Sequence, residues 1–237
     1  MKPVDSPQRS RRPIIIAVLV AIVLLVGIAF FPLARAFFAG GHGVKTEGID
    51  ASKLHAASTD IDGTWEVTKK PGSNESSAGF TFFEILPAER RVTSGSTRNV
   101  SGSVVIDGGT LQSGDIKVDV STLTTDSDVR DKNVRTKILT TDEYPDATFT
   151  LTQPADVSAL PDDGTVAPVD LTGDLTIRGQ TRGVTQQFDV ARSGKDIIVA
   201  GTIPIKRADY GVETPEFVAA KIADEGEVNI RVKLEKK

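Results

Sequence analysis

Apolar and polar residues alternate with a period of two along most of the chain from Gly63 to the C-terminus. The pattern is clearest where Val228, Ile230, Val232 and Leu234 are separated by single polar residues. Eight further stretches show it: residues 65–67, 80–82, 104–106, 116–120, 149–151, 171–177, 188–190 and 203–205. Because successive side chains of a strand point to opposite faces, this period predicts about nine strands, each with one buried face.

Glycines punctuate these stretches and predict turns between antiparallel neighbours. They occur as Asp107-Gly108-Gly109, Ser113-Gly114, Gly179, Ser193-Gly194 and Gly226. A sheet that is polar on one face throughout has to hide its other face, either as two packed layers or as a closed barrel. The pattern therefore predicts an all-β antiparallel fold, and the period alone does not choose between a sandwich and a barrel.

Residues 129–139 depart from the period of two and carry apolar residues at helical spacing. Thr125, with Asp128 three residues later, has the arrangement of a capping box. The sequence therefore predicts one short helix within this otherwise β-rich region.

Two patterns raise the question of a metal site. Asp126, Asp128 and Asp131 are spaced as in a calcium loop, but an arginine occupies a ligand position and the required glycine is missing, which favours helix capping instead. The two histidines, His42 and His55, lie in a segment without periodicity and are interpreted as spacer residues rather than ligands or pH sensors. No metal site is predicted.

The N-terminal part contains residues 13–34, which carry no charge and are about 27 to 33 Å long as a helix at ~1.5 Å per residue. Arg9, Arg11 and Arg12 precede this stretch, so residues 1–38 are predicted to form a cytoplasmic stub and a single transmembrane helix, with the C-terminal domain extracytoplasmic. The alternative is a signal peptide cleaved after Ala34-Arg35-Ala36. Both interpretations export the remainder of the chain.

Residues 39–62 are rich in glycine and small polar residues and are predicted to be a flexible linker, which leaves residues 63–237 as one domain. Residues 1–38 carry a net charge of +4 out of a total of −4, so the remainder carries −8. An acidic domain of this kind is not expected to bind nucleic acid.

The chain contains no cysteine, which excludes disulfides, thiol catalysis and cysteine-ligated metals. With no histidine in the predicted domain, the remaining acid/base candidates are Asp131 and Asp209. We favour the alternative that Arg130, Asp131, Arg207 and Asp209 form ion pairs and caps at the barrel rim. The chain is therefore expected not to be an enzyme and to need no cofactor.

Several segments in order along the chain resemble the YceI-like family of lipid- or polyisoprenoid-binding proteins. They read AGFTFFE from Ala78, VSGSVVIDGG from Val100, DVRDKNVRTKILTTDEYPDATFTLTQP from Asp128, LTGDLTIRGQTRGVT from Leu171 and IKRADYGVE from Ile205. The resemblance implies a lipocalin-like antiparallel β-barrel with one short helix and a long apolar pocket. It also implies an isoprenoid lipid or quinone-type tail as the bound molecule. The N-terminal anchor and a longer region at residues 80–100 depart from the better-known members of the family.

Within such a barrel, inward-facing residues of the alternating stretches are the candidates for the lipid-binding pocket. They are Trp65, Phe80, Phe82, Ile116, Val118, Val120, Phe149, Leu151, Leu175, Ile177, Phe188 and Ile203. Few of the inward positions are aromatic, which favours a tunnel for a flexible chain; the alternative is that these rows pack against one another as core.

The expected function is an exported, membrane-tethered protein that sequesters or shuttles an isoprenoid lipid. A chain of ~30 carbons could gain roughly 9 kcal/mol on leaving water, but close to nothing on leaving a bilayer. The alternative is an exported interaction or stress-related module with a filled barrel and no ligand. The sequence does not indicate a protein partner.

Overall fold

The computed structural model describes residues 44–85, 90–213 and 221–237. The predicted stub and transmembrane helix, residues 1–38, lie outside these ranges, as do residues 39–43. Within the described ranges, no helix has the length and apolar character that crossing a bilayer requires.

Eleven strands run through the described ranges, and every strand pairing between them is antiparallel. They are β1 (Gly63–Val67), β2 (Ser77–Ile85), β3 (Arg90–Thr97), β4 (Val100–Asp107), β5 (Thr110–Asp119), β6 (Asp146–Leu151), β7 (Ala155–Asp156), β8 (Ala167–Ile177), β9 (Gln180–Ser193), β10 (Asp196–Lys206) and β11 (Lys221–Lys236). Neighbouring strands follow the order β1-β4-β5-β6-β8-β9-β10-β11, and β11 pairs back with β1. This last pairing closes an eight-stranded barrel, so the sandwich alternative is wrong.

The β2–β3 hairpin lies outside the eight-strand ring and adds β2 to β11 next to the position of β1. All nine predicted strands are present, whereas β3 and the two-residue β7 had not been predicted. In β3 the buried positions are polar, including Ser94 and Thr97. Their hydroxyls are paired with those of Thr81 at 3.1 Å and Thr122 at 2.6 Å. Because hydrogen bonds replace apolar burial there, β3 has no apolar period to detect.

Three of the five predicted turns are confirmed. Gly108 and Gly109 join β4 to β5 with φ of +56° and +71°, and glycines likewise join β8 to β9 and β9 to β10. Ser113-Gly114 and Gly226, in contrast, lie inside β5 and β11. At Gly226 a side chain would meet the ring of Phe82, so this glycine serves close approach between strands rather than a turn.

The predicted short helix is present as α1 (Asp128–Asn133), which continues as a π-helical turn, Val134–Ile138. The predicted capping box does not form. Ser127 is the N-cap residue and makes no side-chain capping bond, whereas Thr125 donates from both its backbone N and its hydroxyl to Asp131, each at 2.6 Å. The carboxylate that closes this turn therefore belongs to Asp131, which is buried.

Residues 44–62 are not the flexible linker that their composition indicates. Thr46 is buried and its hydroxyl lies 2.8 Å from that of Ser77, and Arg231 donates to the carbonyl of Gly48 at 2.9 Å. Further along, the backbone N of His55 donates to the Ser193 hydroxyl at 3.1 Å. The segment is held by hydrogen bonds rather than by an apolar stripe, so hydrophobic periodicity cannot detect it.

Buried side chains form two clusters inside the barrel. The first surrounds Trp65 near the β4–β5 and β9–β10 turns, and the second includes Phe188 and Tyr210. Leu171, Val199 and Ile230 pack against both clusters and therefore lie near the middle of the barrel.

Candidate functional site

The barrel encloses a cavity of about 270 Å³. Its wall is formed by the inward faces of the barrel strands, by β2 and by the helical segment that contains Val134 and Ile138. Nearly all of the lining side chains are aliphatic or aromatic. The polar exceptions are Glu84, Thr93, Arg130, Thr148, Arg207 and Tyr210. The interior is therefore hollow and apolar, with a few polar groups.

Four phenylalanine rings of the cavity wall pack directly over glycines of neighbouring strands. A Cβ added at Gly201 would lie 2.4 Å from Cδ1 of Phe188, so the ring occupies the space of the missing side chain. Three further phenylalanines lie over glycines in the same way: Phe149 over Gly173, Phe82 over Gly226 and Phe80 over Gly95. A larger residue at any of these glycines would displace the ring that lies over it.

Eleven of the twelve predicted pocket residues line this cavity, and Trp65 does not. The eleven are Phe80, Phe82, Ile116, Val118, Val120, Phe149, Leu151, Leu175, Ile177, Phe188 and Ile203. Val120 reaches the wall from a 3₁₀ turn, Val120–Thr122, rather than from a strand.

Trp65 lies behind the wall at one end of the barrel. Only 1% of its surface is exposed, and its indole N–H donates to the carbonyl of Ile61 at 2.7 Å. It packs in a cluster with Leu111 and Leu160, which line the cavity at this end. We call this the closed end. Trp65 is therefore not among the residues that line the cavity in the structure, whereas lipid contact by the other eleven stays a prediction.

A YceI-like domain profile matches residues 65–234, which is more than half of the chain. The chain belongs to the YceI-like family. No curated protein matches it in a sequence search. Its YceI-like barrel also matches solved structures. One is a polyisoprenoid binding domain from Saccharophagus degradans implicated in plant cell wall breakdown, with a TM-score of 0.52, 20% identity, and coverage of 68% of this chain and 94% of that one.

A second solved structure, BcnA from Burkholderia cenocepacia, has a TM-score of 0.52 and 24% identity and covers 67% of this chain and 94% of that one. At these identities the likeness shows a shared fold. The YceI-like assignment therefore rests on the matched residues 65–234, and the content of the cavity has to be argued from this chain's own side chains.

The polar groups of the YceI-like barrel gather away from the closed end. Arg130 on α1 pairs with Asp126 and has its Nε 3.8 Å from Oε1 of Glu84 on β2. Arg207 pairs with Asp224 at 2.7 Å. It also donates to the backbone carbonyls of Val212 and of Ala223 on β11. We call the region of Glu84, Arg130 and Arg207 the polar end.

The ion pairs at the polar end differ from those predicted. Arg130 and Arg207 do form ion pairs, but with Asp126, Glu84 and Asp224. Asp131 acts as a cap, since it accepts from the backbone N and the hydroxyl of Thr125, and Asp209 is exposed. Asp131 and Asp209 are therefore not arranged as a catalytic pair by any contact the structure shows. Among the described residues, no group of three or more histidines and carboxylates is placed to hold a metal ion.

Several residues that line the cavity were not among the predicted site residues, and three cases differ in their reason. Tyr210 is buried beside the cavity, and this burial raises the pKa of its phenol. Val134 and Ile138 of the helical segment cover part of the wall, and their spacing was visible although its role was not. Thr93 lies on the unpredicted strand β3, where nothing in the sequence separates a buried threonine from an exposed one.

Proposed function

We propose that this YceI-like barrel holds one long, slender apolar chain, of the polyisoprenoid class, in its cavity. The observation that carries the proposal is the hollow apolar interior, which is lined at one end by apolar residues of the cluster around Trp65. A filled-core interaction module would not have such a cavity. The described polyisoprenoid-binding activity of the relative from Saccharophagus degradans supports the same ligand class.

The cavity volume sets the length of chain that can be enclosed. At roughly 13 Å³ for each water-sized group, about 270 Å³ has room for on the order of 20 such groups. At about −0.3 kcal/mol per atom, burying a chain of this size from water is worth about 6 kcal/mol, a dissociation constant between micromolar and millimolar. A chain of ~30 carbons would thus extend beyond the cavity.

Such a chain normally resides in a bilayer, where it is already out of water, so its net transfer into the barrel is close to neutral. We therefore infer a role in sequestration or short-range shuttling rather than tight extraction, without enzymatic chemistry. The uncharged stretch of residues 13–34 would tether the exported barrel close to its lipid source.

The test of lipid binding is to produce the full chain natively, purify it, extract any bound lipid from it and identify that lipid by mass spectrometry. The expected result is an isoprenoid lipid at close to one molecule per protein, and a natively produced sample without lipid would count against the proposal. The tether has a separate test. N-terminal sequencing of the mature protein should find the uncleaved start, and a chain that begins at Phe37 would refute the tether while leaving lipid binding untouched.

A further inference from the structure

Thr93 carries the one buried side-chain oxygen that lacks a hydrogen-bond partner in the described part of the chain. The residue is 7% exposed and lines the cavity. Its neighbour in the same hairpin, Thr81, has a satisfied hydroxyl that donates to Asn229 at 2.6 Å. Buried hydroxyls without partners are rare because they lose their bonds to water and gain nothing in return. The Thr93 hydroxyl therefore calls for a partner that enters the cavity.

Thr93 lies towards the polar end of the cavity. It is directly opposite Phe82 in the β2–β3 pairing, and Glu84 follows two residues later on the same face, about 7 Å along the strand. Along β11, the residue opposite Phe82 is Gly226 and the residue opposite Trp65 is Lys236. Gly226 and Lys236 are ten residues apart on β11, which corresponds to about 33 Å of strand between Phe82 and Trp65. A chain whose tail points to the closed end would therefore bring its head close to Thr93.

The charges at this end do not favour an anionic head. The two cations that line the cavity, Arg130 and Arg207, already have the carboxylates of Asp126, Glu84 and Asp224 as partners. Arg91, opposite Glu84 in the strand pairing, is also engaged. A phosphate would have to displace these carboxylates, whereas an uncharged oxygen needs only one hydrogen bond.

We propose that the Thr93 hydroxyl hydrogen-bonds the oxygen of an uncharged head group, an alcohol, phenol or quinone carbonyl, on an isoprenoid chain whose tail points to the closed end. This inference rests on the proposed lipid-binding function and adds the class of head group and the orientation of the chain. A hydroxyl can donate to a carbonyl or accept from an alcohol, so Thr93 serves each member of this class.

The experiment uses the full chain and retinol, an isoprenoid alcohol that accepts energy from the chain's single tryptophan, Trp65. Retinol is displaced by geranylgeraniol, by the hydrocarbon phytane of similar length, and by geranylgeranyl phosphate. Thr93→Val keeps the shape and removes the hydroxyl. It should weaken geranylgeraniol by roughly two- to twelvefold, the range expected for one hydrogen bond, and leave phytane within about twofold. The unliganded variant should melt at the same temperature as wild type or higher.

Two further variants separate binding from folding. Thr93→Ser keeps the hydroxyl and should keep the ratio of alcohol to hydrocarbon affinity. Thr81→Val is the matched control: it removes a satisfied hydroxyl, so it should lower the melting temperature and leave that ratio unchanged. Preference of the wild type for geranylgeraniol over phytane is a readout that needs no variant.

The outcomes distinguish this inference from the proposed function. If retinol does not bind, or if it binds and none of the three isoprenoid competitors displaces it, the proposed function fails and the inference fails with it. If the lipids bind but Thr93→Val leaves the ratio of geranylgeraniol to phytane affinity unchanged, the role of Thr93 is refuted and lipid binding stands. If geranylgeranyl phosphate binds about tenfold or more tightly than the alcohol, the head group is anionic and the inference is overturned.

Discussion

A phenylalanine at Val199 would occupy space that we propose for the lipid chain. Val199 lines the cavity from β10, between Val190 on β9 and Val232 on β11, and it packs against both buried clusters. The substitution therefore places a ring near the middle of the barrel. Since the new ring extends into an existing cavity, we expect Val199→Phe to fold and the unliganded protein to keep its melting temperature.

The size of the effect follows from the number of chain atoms that lose their place. A phenyl ring adds to valine the bulk of roughly four carbon atoms, which at about 0.3 kcal/mol per atom costs about 1.2 kcal/mol, or roughly sevenfold in affinity. If the ring also blocks the way to the closed end, roughly ten atoms lose their contacts. The loss is then about 3 kcal/mol, or roughly 150-fold.

The assay is retinol titration followed by energy transfer from Trp65, with thermal melts of the same samples. Val105→Phe is the matched control, since Val105 precedes the lining residue Ile106 on β4 and is 38% exposed. It should bind retinol like the wild type. Equal affinity in Val199→Phe, Val105→Phe and wild type would show that the chain does not lie in the barrel, and the reasoning from the cavity would be refuted.

Three further predictions concern other parts of the structure. A chain that starts at residue 63 should lose about 3 kcal/mol of unfolding free energy in urea titrations relative to one that starts at residue 44, because the hydrogen bonds of residues 44–62 are lost; equal stability would restore the linker interpretation. The Ser158 hydroxyl lowers the pKa of Asp156, so the stabilisation it provides is present above the ordinary Asp value of 3.8 and is lost as the pH falls below it. Melts from about pH 5 to about pH 3 should therefore show a smaller acid dependence for Asp156→Asn than for wild type, and identical profiles would contradict this. Gly201→Ala should push the ring of Phe188 off the wall, cost about 1–3 kcal/mol and weaken retinol, and adding Phe188→Leu should recover stability if the contact is the cause.

The strands that could be predicted are those whose burial is apolar. In β11, Val232 and Leu234 are buried among other apolar side chains, so the alternation in sequence reports the fold directly. The strand β3 could not be found this way. Ser94 and Thr97 are as buried as many core residues, but their hydroxyls are satisfied by residues far away in sequence. A buried polar strand and an exposed one have the same composition until their partners are known.

The candidate site was predicted to a similar degree and for the same reason. The inward rows of aliphatic residues identified most of the cavity wall, because side-chain direction within a strand is a local property. The place of Trp65 behind that wall depends on Leu111, Leu160 and Ile61, which come from other segments. The packing of residues 44–62 likewise depends on Arg231 and Ser193, more than a hundred residues away.

The sequence by itself determined the β-rich character of the chain, its antiparallel turns, its short helix and the apolar inner faces, since each follows from interactions between near neighbours. Only the tertiary structure decided that the sheet closes through the β1–β11 pairing and that the barrel stays hollow. The rings of Phe188 and Phe82 lie against the wall because Gly201 and Gly226, on neighbouring strands, leave room for them. The unpartnered hydroxyl of Thr93 is likewise visible only once the strands around it are in place.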